Sequence, residues 1–384
     1  ELLIRDGRIA AVGSRVDVPA DAERIDVSGK RIYPGMISAN SILGLPTAGM
    51  FEANQPPNSH FFQELGWNNA NLRPDVAVDP DGLAWPVARA NGVLTALIVP
   101  GVGPEGIIAG RSMLMKPDGW TAQQMTVAGP IALHVYWPDT SEKRTQLDQA
   151  LREARTYLSA KLAGHVEVPD LRSEAMLPIL DRRMPVFIHA DRIAHIRAAL
   201  EFARQERLRM VLVTQMSGSS DAWRVASTLK EQTIPVILGT AHTQPTYNSD
   251  DYDSAFTIAG KLAAAGVQLA IANRNSPYTL QGGVTAERNL PYQAATFAAY
   301  GLGAEGALRA ITLTPAEILG VADHLGSLDA GKAATLFIAS GDVLDIRSAV
   351  ERAWIDGREV NLAANHHTRL YERYRKKYQG LPKE

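Results

Sequence analysis

Pro185-Val186-Phe187-Ile188, Met210-Val211-Leu212-Val213, Pro235-Val236-Ile237-Leu238 and Val267-Gln268-Leu269-Ala270-Ile271 follow one another at a steady interval. Each run is short and rich in aliphatic, often β-branched side chains, the pattern of a strand buried on both faces. Between them lie Ile193 to Arg204, Ala222 to Glu231 and Ser254 to Ala265, with apolar residues at helical period. Regular alternation of strand and helix predicts a parallel sheet, either wound open or closed into a barrel. Val93-Leu94-Thr95-Ala96-Leu97-Ile98-Val99 extends the series toward the N-terminus.

The two ends of the chain read differently. Glu1-Leu2-Leu3-Ile4-Arg5-Asp6-Gly7-Arg8-Ile9 has the form of a hairpin, with Asp6-Gly7 as its turn. Since this resembles the middle of a β-meander, the natural protein is expected to begin upstream, and any targeting signal would lie in that piece. Near the other end Gly326 to Lys332 is a turn, and Ala334 to Ala339 and Ala353 to Val360 read as strands. Neither terminal piece can bury a core alone. Residues 1–34 and 322–361 are therefore expected to form one small β-sandwich domain, around a unit spanning 35–321. Residues 362–384 are expected to form a tail, in which Arg369 to Lys377 reads as a surface helix or as tail.

Composition excludes several function classes. Lys plus Arg number 39 and Asp plus Glu 41, a net charge of −2, so neither nucleic acid nor an anionic membrane is an expected partner. No run approaches the ~18 apolar residues of a membrane span. The chain has no cysteine, which removes disulfides, thiolate nucleophiles and zinc–thiolate sites. That composition suits periplasm and cytoplasm alike, and the compartment stays open. No Gly-x-Ser-x-Gly elbow is present. Pro100-Gly101-Val102-Gly103-Pro104-Glu105-Gly106 lacks the Lys-Ser/Thr end of a phosphate loop and reads as a tight strand–helix connection.

Three segments carry a likeness. Lys30-Arg31-Ile32-Tyr33-Pro34-Gly35-Met36-Ile37-Ser38-Ala39-Asn40-Ser41-Ile42 is similar to a "VxPGxID" strand that runs into His-x-His. Ala307 to Gly320 is similar to a last barrel helix, and Gly326-Ser327-Leu328-Asp329-Ala330-Gly331-Lys332-Ala333-Ala334-Thr335-Leu336 to a "GSLxxGKxADL" return. On these motifs the chain resembles the amidohydrolase superfamily, and Gly92-Val93-Leu94-Thr95, Pro100-Gly101-Val102-Gly103 with Ile108-Ala109-Gly110, Asp251-Tyr252-Asp253 and Asn289-Leu290-Pro291-Tyr292 are similar to its imidazolonepropionase-like branch in particular. The resemblance implies an α/β fold: a (β/α)8 TIM-type barrel with the small β-sandwich formed by both chain ends. It also implies chemistry in which one or two divalent metals activate water to hydrolyse carbon–nitrogen bonds other than peptide bonds.

The ligands that such chemistry needs are mostly replaced. The family places His-x-His after the first strand, a His after the fifth, a His after the sixth and an Asp after the eighth, and many members add a carboxylated Lys. Here the first pair falls on Asn40 and Ile42: an amide is a poor zinc ligand and an alkyl group is none. Val186-Phe187-Ile188-His189-Ala190 keeps the fifth-strand His. The sixth strand ends at Gln215. The eighth-strand Asp falls on Arg274, or on Asn275 in a shifted alignment, and an Arg there would repel a cation. A single donor holds an ion weakly. No cofactor is therefore expected; if one binds, it is a single zinc-like divalent ion with His189 among its ligands. Neither Lys116 nor Lys161 aligns with a carboxylated position.

The remaining candidates have bland readings beside the functional ones. His189, His242, Asp251 and Asp253 could line a pocket. His189 is equally a barrel-mouth residue bonded to its neighbours, and His242 an exposed loop residue. Asp250, Asp251 and Asp253 precede the helix from Ser254, where capping accounts for them. His134 reads as a satisfied core histidine. Three functions follow. The first is a non-catalytic protein that supports or regulates a partner, such as an active paralogue, in a homo- or hetero-oligomer. The second is an active carbon–nitrogen hydrolase with a rebuilt centre that uses His189, His242 and Asp251 or Asp253, with or without one metal. The third is a small-molecule binding protein that uses the barrel mouth, with Arg274 suited to a carboxylate.

Overall fold

The computed structural model describes residues 1–45, 66–103, 105–214, 219–273, 284–363 and 366–379. Its strands are β1 (Leu2–Arg5), β2 (Arg8–Val12), β3 (Arg31–Pro34), β4 (Met36–Ser41), β5 (Val93–Ile98), β6 (Ile108–Arg111), β7 (Met113–Met115) and β8 (Thr126–Ala128). Then come β9 (Leu133–Tyr136), β10 (Val186–His189), β11 (Met210–Thr214), β12 (Val236–Leu238), β13 (Leu269–Ile271), β14 (Leu336–Ala339), β15 (Val350–Ile355) and β16 (Arg358–Val360).

The four apolar runs that set the rhythm are β10 to β13. They pair in parallel with β9 before them, in the order β13-β12-β11-β10-β9-β6. β6 lies antiparallel on the edge. A second sheet runs β4-β5-β7-β8, in which β4 and β5 are parallel. Right-handed parallel connections require crossovers, and Ile193–Gln205 and Ser254–Ala264 supply them as helices. The stretch from Ala222 begins as a 3-10 turn, Ala222–Val225, before the helix Ala226–Glu231.

Strand alternation sorts the apolar residues into two cores. Ile37, Ala39, Leu97, Leu114, Phe187, Val211, Val213, Ile237 and Ala270 form an inner cluster drawn from both sheets. Their neighbours in sequence, among them Met36, Ile98, Val186, Ile188, Leu212, Leu238 and Ile271, face an outer cluster with the helix residues Leu200, Leu229, Ile258 and Phe297. Two sheets that share one inner core, jacketed by helices, are a TIM-barrel-type α/β arrangement.

The chain ends meet in a separate layer. β3 pairs antiparallel with β14 in a sheet ordered β16-β15-β14-β3. The β1–β2 hairpin turns at Asp6 and Gly7, both at positive φ, as an Asp-Gly turn requires. Ile9, Leu336, Ile338 and Trp354 form the apolar cluster between hairpin and sheet. His366–Gln379 is a helix exposed from Arg369 through Tyr371. Among the described residues no helix is long and apolar enough to cross a membrane.

Candidate functional site

The C-terminal ends of β9, β10 and β11 stand side by side. Their register places Tyr136 level with His189 and His189 level with Val213; one pair deeper, His134 is level with Phe187. In a parallel ladder such partners share a face, and Phe187 and Val213 mark that face as the inner one. Nδ1 of the buried His134 lies 3.0 Å from Nε2 of His189. The Tyr136 ring lies flat on the His189 ring, with centroids 4.1 Å apart and planes 5° from parallel.

Burial determines the charge of all three groups. It pushes His189 down to about 3. Burial and then the neighbouring His189 push His134 well below its ordinary value. Both imidazoles are thus neutral near pH 7, and the contact between them is a hydrogen bond with one ring as donor. Tyr136 is half-buried, set deep among the strand ends, and desolvation pushes it up to about 12, so it stays a phenol. Among the described residues Nε2 of His134 has no hydrogen-bond partner. The satisfied core histidine expected at 134 is therefore satisfied at one nitrogen only, because the ring's far edge faces the apolar interior beside Phe187.

At the first-strand position Asn40 is buried, and Ile42 packs against the outer apolar cluster. The β4–β5 register breaks between Ser38 and Ser41, so alternation does not carry through this stretch. Behind it sits a carboxyl that sequence reasoning missed. Glu287, in the 3-10 turn Val284–Asn289, is 1% exposed. Burial raises its pKa, while the Ser41, Ser38 and Asn273 side chains pull it down. Asn273 Nδ2 donates to Glu287 Oε2 at 3.4 Å and to the Ala286 carbonyl at 3.0 Å. Among the described residues Glu287 Oε1 has no hydrogen-bond partner.

An acid with a raised folded pKa adds most stability below the ordinary carboxyl range and loses it as pH rises through the folded value. Glu287→Gln is therefore expected to exceed the parent in stability at pH 7 by about 1–3 kcal/mol, the cost of an unsatisfied buried group. The gap should close near pH 4. Denaturant midpoints across that range check this, and a variant less stable at pH 7 would contradict it.

The other expected residues separate. His242 is exposed, and its Nδ1 and Nε2 lie 3.2 Å from Gln293 Nε2 and 3.3 Å from Thr296 Oγ1. Gln293 in turn accepts from Ala241 N and Thr240 Oγ1, so this group ties the β12 loop to the helix Leu290–Phe297. Asp253 occupies the cap position before Ser254 but makes no side-chain cap bond, contrary to the capping expected there. Its backbone carbonyl instead accepts from Phe256 N at 2.8 Å. Asp251 is exposed, and its carbonyl accepts from Ser254 N. Asp250 pairs with Arg224. Lys116 pairs with Asp356, and Lys161 with Glu174. Gln215, Arg274 and Asn275 fall outside the described residues.

Three loops at the strand ends are stitched together by buried oxygen atoms. Thr214 Oγ1 donates to Asp191 Oδ1 at 2.9 Å. Asp221 Oδ2 accepts from Ile193 N at 2.9 Å and from the Tyr247 hydroxyl at 3.0 Å, and its Oδ1 accepts from Arg224 Nε at 2.9 Å. These bonds link the connections that follow β10, β11 and β12.

Residues 131–361 match the sequence profile of the amidohydrolase family. The chain belongs to the amidohydrolase family. Its motifs place it with the imidazolonepropionase-like branch, and imidazolonepropionase of Acidiphilium cryptum is 26% identical over 368 residues, covering 89% of this chain and 87% of that one. Amidohydrolase tasK of Hapsidospora irregularis is 23% identical over 401 residues. That alignment covers 93% of this chain, which spans only 39% of the tasK length. Among solved structures, an amidohydrolase from Thermotoga maritima MSB8 superposes with a TM-score of 0.79 at 25% identity, over 94% of both chains. Phenylurea hydrolase B, at 16% identity and a TM-score of 0.57, shares the fold over 96% of this chain and 94% of its own.

A family metal does not fit the described residues. An ion needs several convergent donors, and among the described residues no three His, Asp or Glu side chains come together to hold one. Position 42 offers an alkyl group, and Nε2 of His189 is already engaged by His134.

Proposed function

We propose that this chain is an amidohydrolase-family protein with a degenerate metal centre, non-catalytic, which supports or regulates a partner such as an active paralogue. In this reading the strands close into a full (β/α)8 barrel and the two chain ends make the small sandwich. The observation that carries it is the environment of the surviving ligand. His189 is the one donor that the sequence keeps, and its ring is bonded to a neutral imidazole and covered by a phenol. A neutral histidine is not the carboxylate that would strengthen a metal-binding imidazole by accepting its proton.

Protein purified without chelator is expected to hold far less than one zinc-like ion per chain. It is also expected not to hydrolyse a cyclic amide, a dipeptide or an N-acylated amino acid. Stoichiometric metal together with turnover that disappears in His189→Ala would replace this reading with an active hydrolase. Copurification as a lone monomer that ignores an active relative would remove the partner. The stack at the strand ends favours a second reading, a small-molecule binder, because neutral polar groups among apolar walls suit a ligand better than an ion.

A further inference from the structure

We propose that the helix His366–Gln379, together with Trp120, is a docking face for an anionic lipid surface, on which the helix lies flat. The face is independent of the strand-end residues and stands whether or not a metal binds there.

The helix sorts its side chains by period. At 3.6 residues per turn, Leu370, Tyr371 and Tyr374 fall within one third of the circumference. Arg373 borders that face on one side and Arg375 on the other, with Arg369 and Lys376 further round. Such a face ordinarily turns to the core. Here Leu370 is 37% exposed, Tyr374 50% and Tyr371 66%, whereas Thr368 and Glu372, away from that face, are partly covered. The apolar face thus points outward, and among the described residues no other helix or strand packs along its length.

A tryptophan stands at the same corner. The Arg89 guanidinium donates to the Pro117 carbonyl at 2.8 Å and to the Asn361 carbonyl at 3.2 Å. Trp120 follows Pro117 by three residues and the helix follows Asn361 by five, spans of at most about 11 Å and about 18 Å. Trp120 is 85% exposed. Arg89 ends the helix Ala84–Arg89 just before β5 begins, so this corner lies at the N-terminal ends of the strands, away from Tyr136 and His189.

Charge selects what covers the face. Arg369, Arg373, Arg375 and Lys376 are all exposed, against the single acid Glu372, which pairs with Arg375 at 2.6 Å. The acids at the corner are already taken, Asp118 by Arg358 and Arg89, and Asp356 by Lys116. Positive charge is therefore left in excess beside exposed rings. The net charge of −2, from which no anionic membrane is expected, averages this local excess away. Pairing the face with itself in a second copy would bring like charges together. A nucleic acid strand is gripped where cations and rings share a face, whereas here the rings hold one face and the cations border it. Tyrosine and tryptophan belong at a water–lipid boundary, with an apolar ring and a polar tip, and arginine stems reach past them to anionic headgroups.

The test is cosedimentation of the full chain with vesicles of phosphatidylcholine alone and of phosphatidylcholine mixed with phosphatidylglycerol. Binding to the mixed vesicles is expected to be about tenfold tighter or more and to weaken as salt is raised. Tyr371→Ser/Tyr374→Ser and Arg369→Glu/Arg373→Glu are each expected to weaken it about tenfold, and Trp120→Ser severalfold. Denaturation midpoints should stay unchanged, because all five side chains are exposed. Equal binding to both vesicle types, no binding to either, or binding unchanged in any of these variants overturns the proposal. Tighter binding to a single-stranded oligonucleotide overturns it in favour of nucleic acid. A dimer in solution that Tyr371→Ser/Tyr374→Ser breaks overturns it in favour of a second copy.

Discussion

Acidification from pH 6 to pH 4 is expected to cost the fold a few kcal/mol through His189, with His134 acting in the same direction. Both imidazoles are buried and held neutral, His189 at about 3 and His134 well below its ordinary value. An unfolded histidine titrates at about 6.5. Between that value and the folded one, the unfolded chain binds a proton that the folded chain refuses. Stability from this source is therefore complete above about pH 6.5 and declines as pH falls, by roughly 1.4 kcal/mol per pH unit for each ring. Carboxylates elsewhere add their own acid dependence, so the comparison is with a variant. His134→Phe/His189→Gln should lose that slope while retaining the rest. Urea midpoints at unit steps from pH 7 to pH 4 decide the matter, and parallel profiles for parent and variant would show that the pair opens to water when protonated.

Asp221→Ala is the second large effect, a loss of about 3 kcal/mol at pH 7. The Asp221 side chain is 1% exposed and receives three donors: a backbone amide, a phenol and a guanidinium. Removing it leaves Ile193 N–H and the Tyr247 hydroxyl without that acceptor. Arg224 would suffer less, because it is 30% exposed at its side chain and keeps Asp250. That escape to solvent is why the expected loss sits at the low end for a broken buried pair. Asp221→Asn retains a carbonyl oxygen that can still accept, so it should lose less than half as much. Equal losses in Ala and Asn would mean that charge rather than hydrogen bonding holds these loops. Because the bonds join the connections after β10, β11 and β12, the Ala variant should also raise hydrogen exchange in all three loops together, a pattern that a simple surface defect would not give.

The candidate site was legible only in part. His189 was visible because it ends a strand whose limits follow from Val186, Phe187 and Ile188. Tyr136 carried a usable signal, since only Val135 separates it from His134 on a short apolar run and both must then share a face. Glu287 carried none: it sits in a 3-10 turn with no periodic pattern, and its importance comes entirely from being brought behind Ser38 and Ser41. The capping expected of Asp253 failed for a related reason. Residue type and position were right, but the backbone at 253, with φ −97 and ψ 8, is not the extended conformation from which a side chain reaches back.

Taken alone, the sequence determined the strand–helix rhythm and the family, because period and residue identity are local properties that no packing can alter. It also determined that a cysteine chemistry is absent. Only the tertiary structure decided that His134 and Tyr136 grip the surviving His189, that Ile42 turns to the outer core and that a buried carboxyl waits behind β4. Those facts depend on register between strands distant in the chain, and on desolvation, which a residue acquires from its neighbours in space.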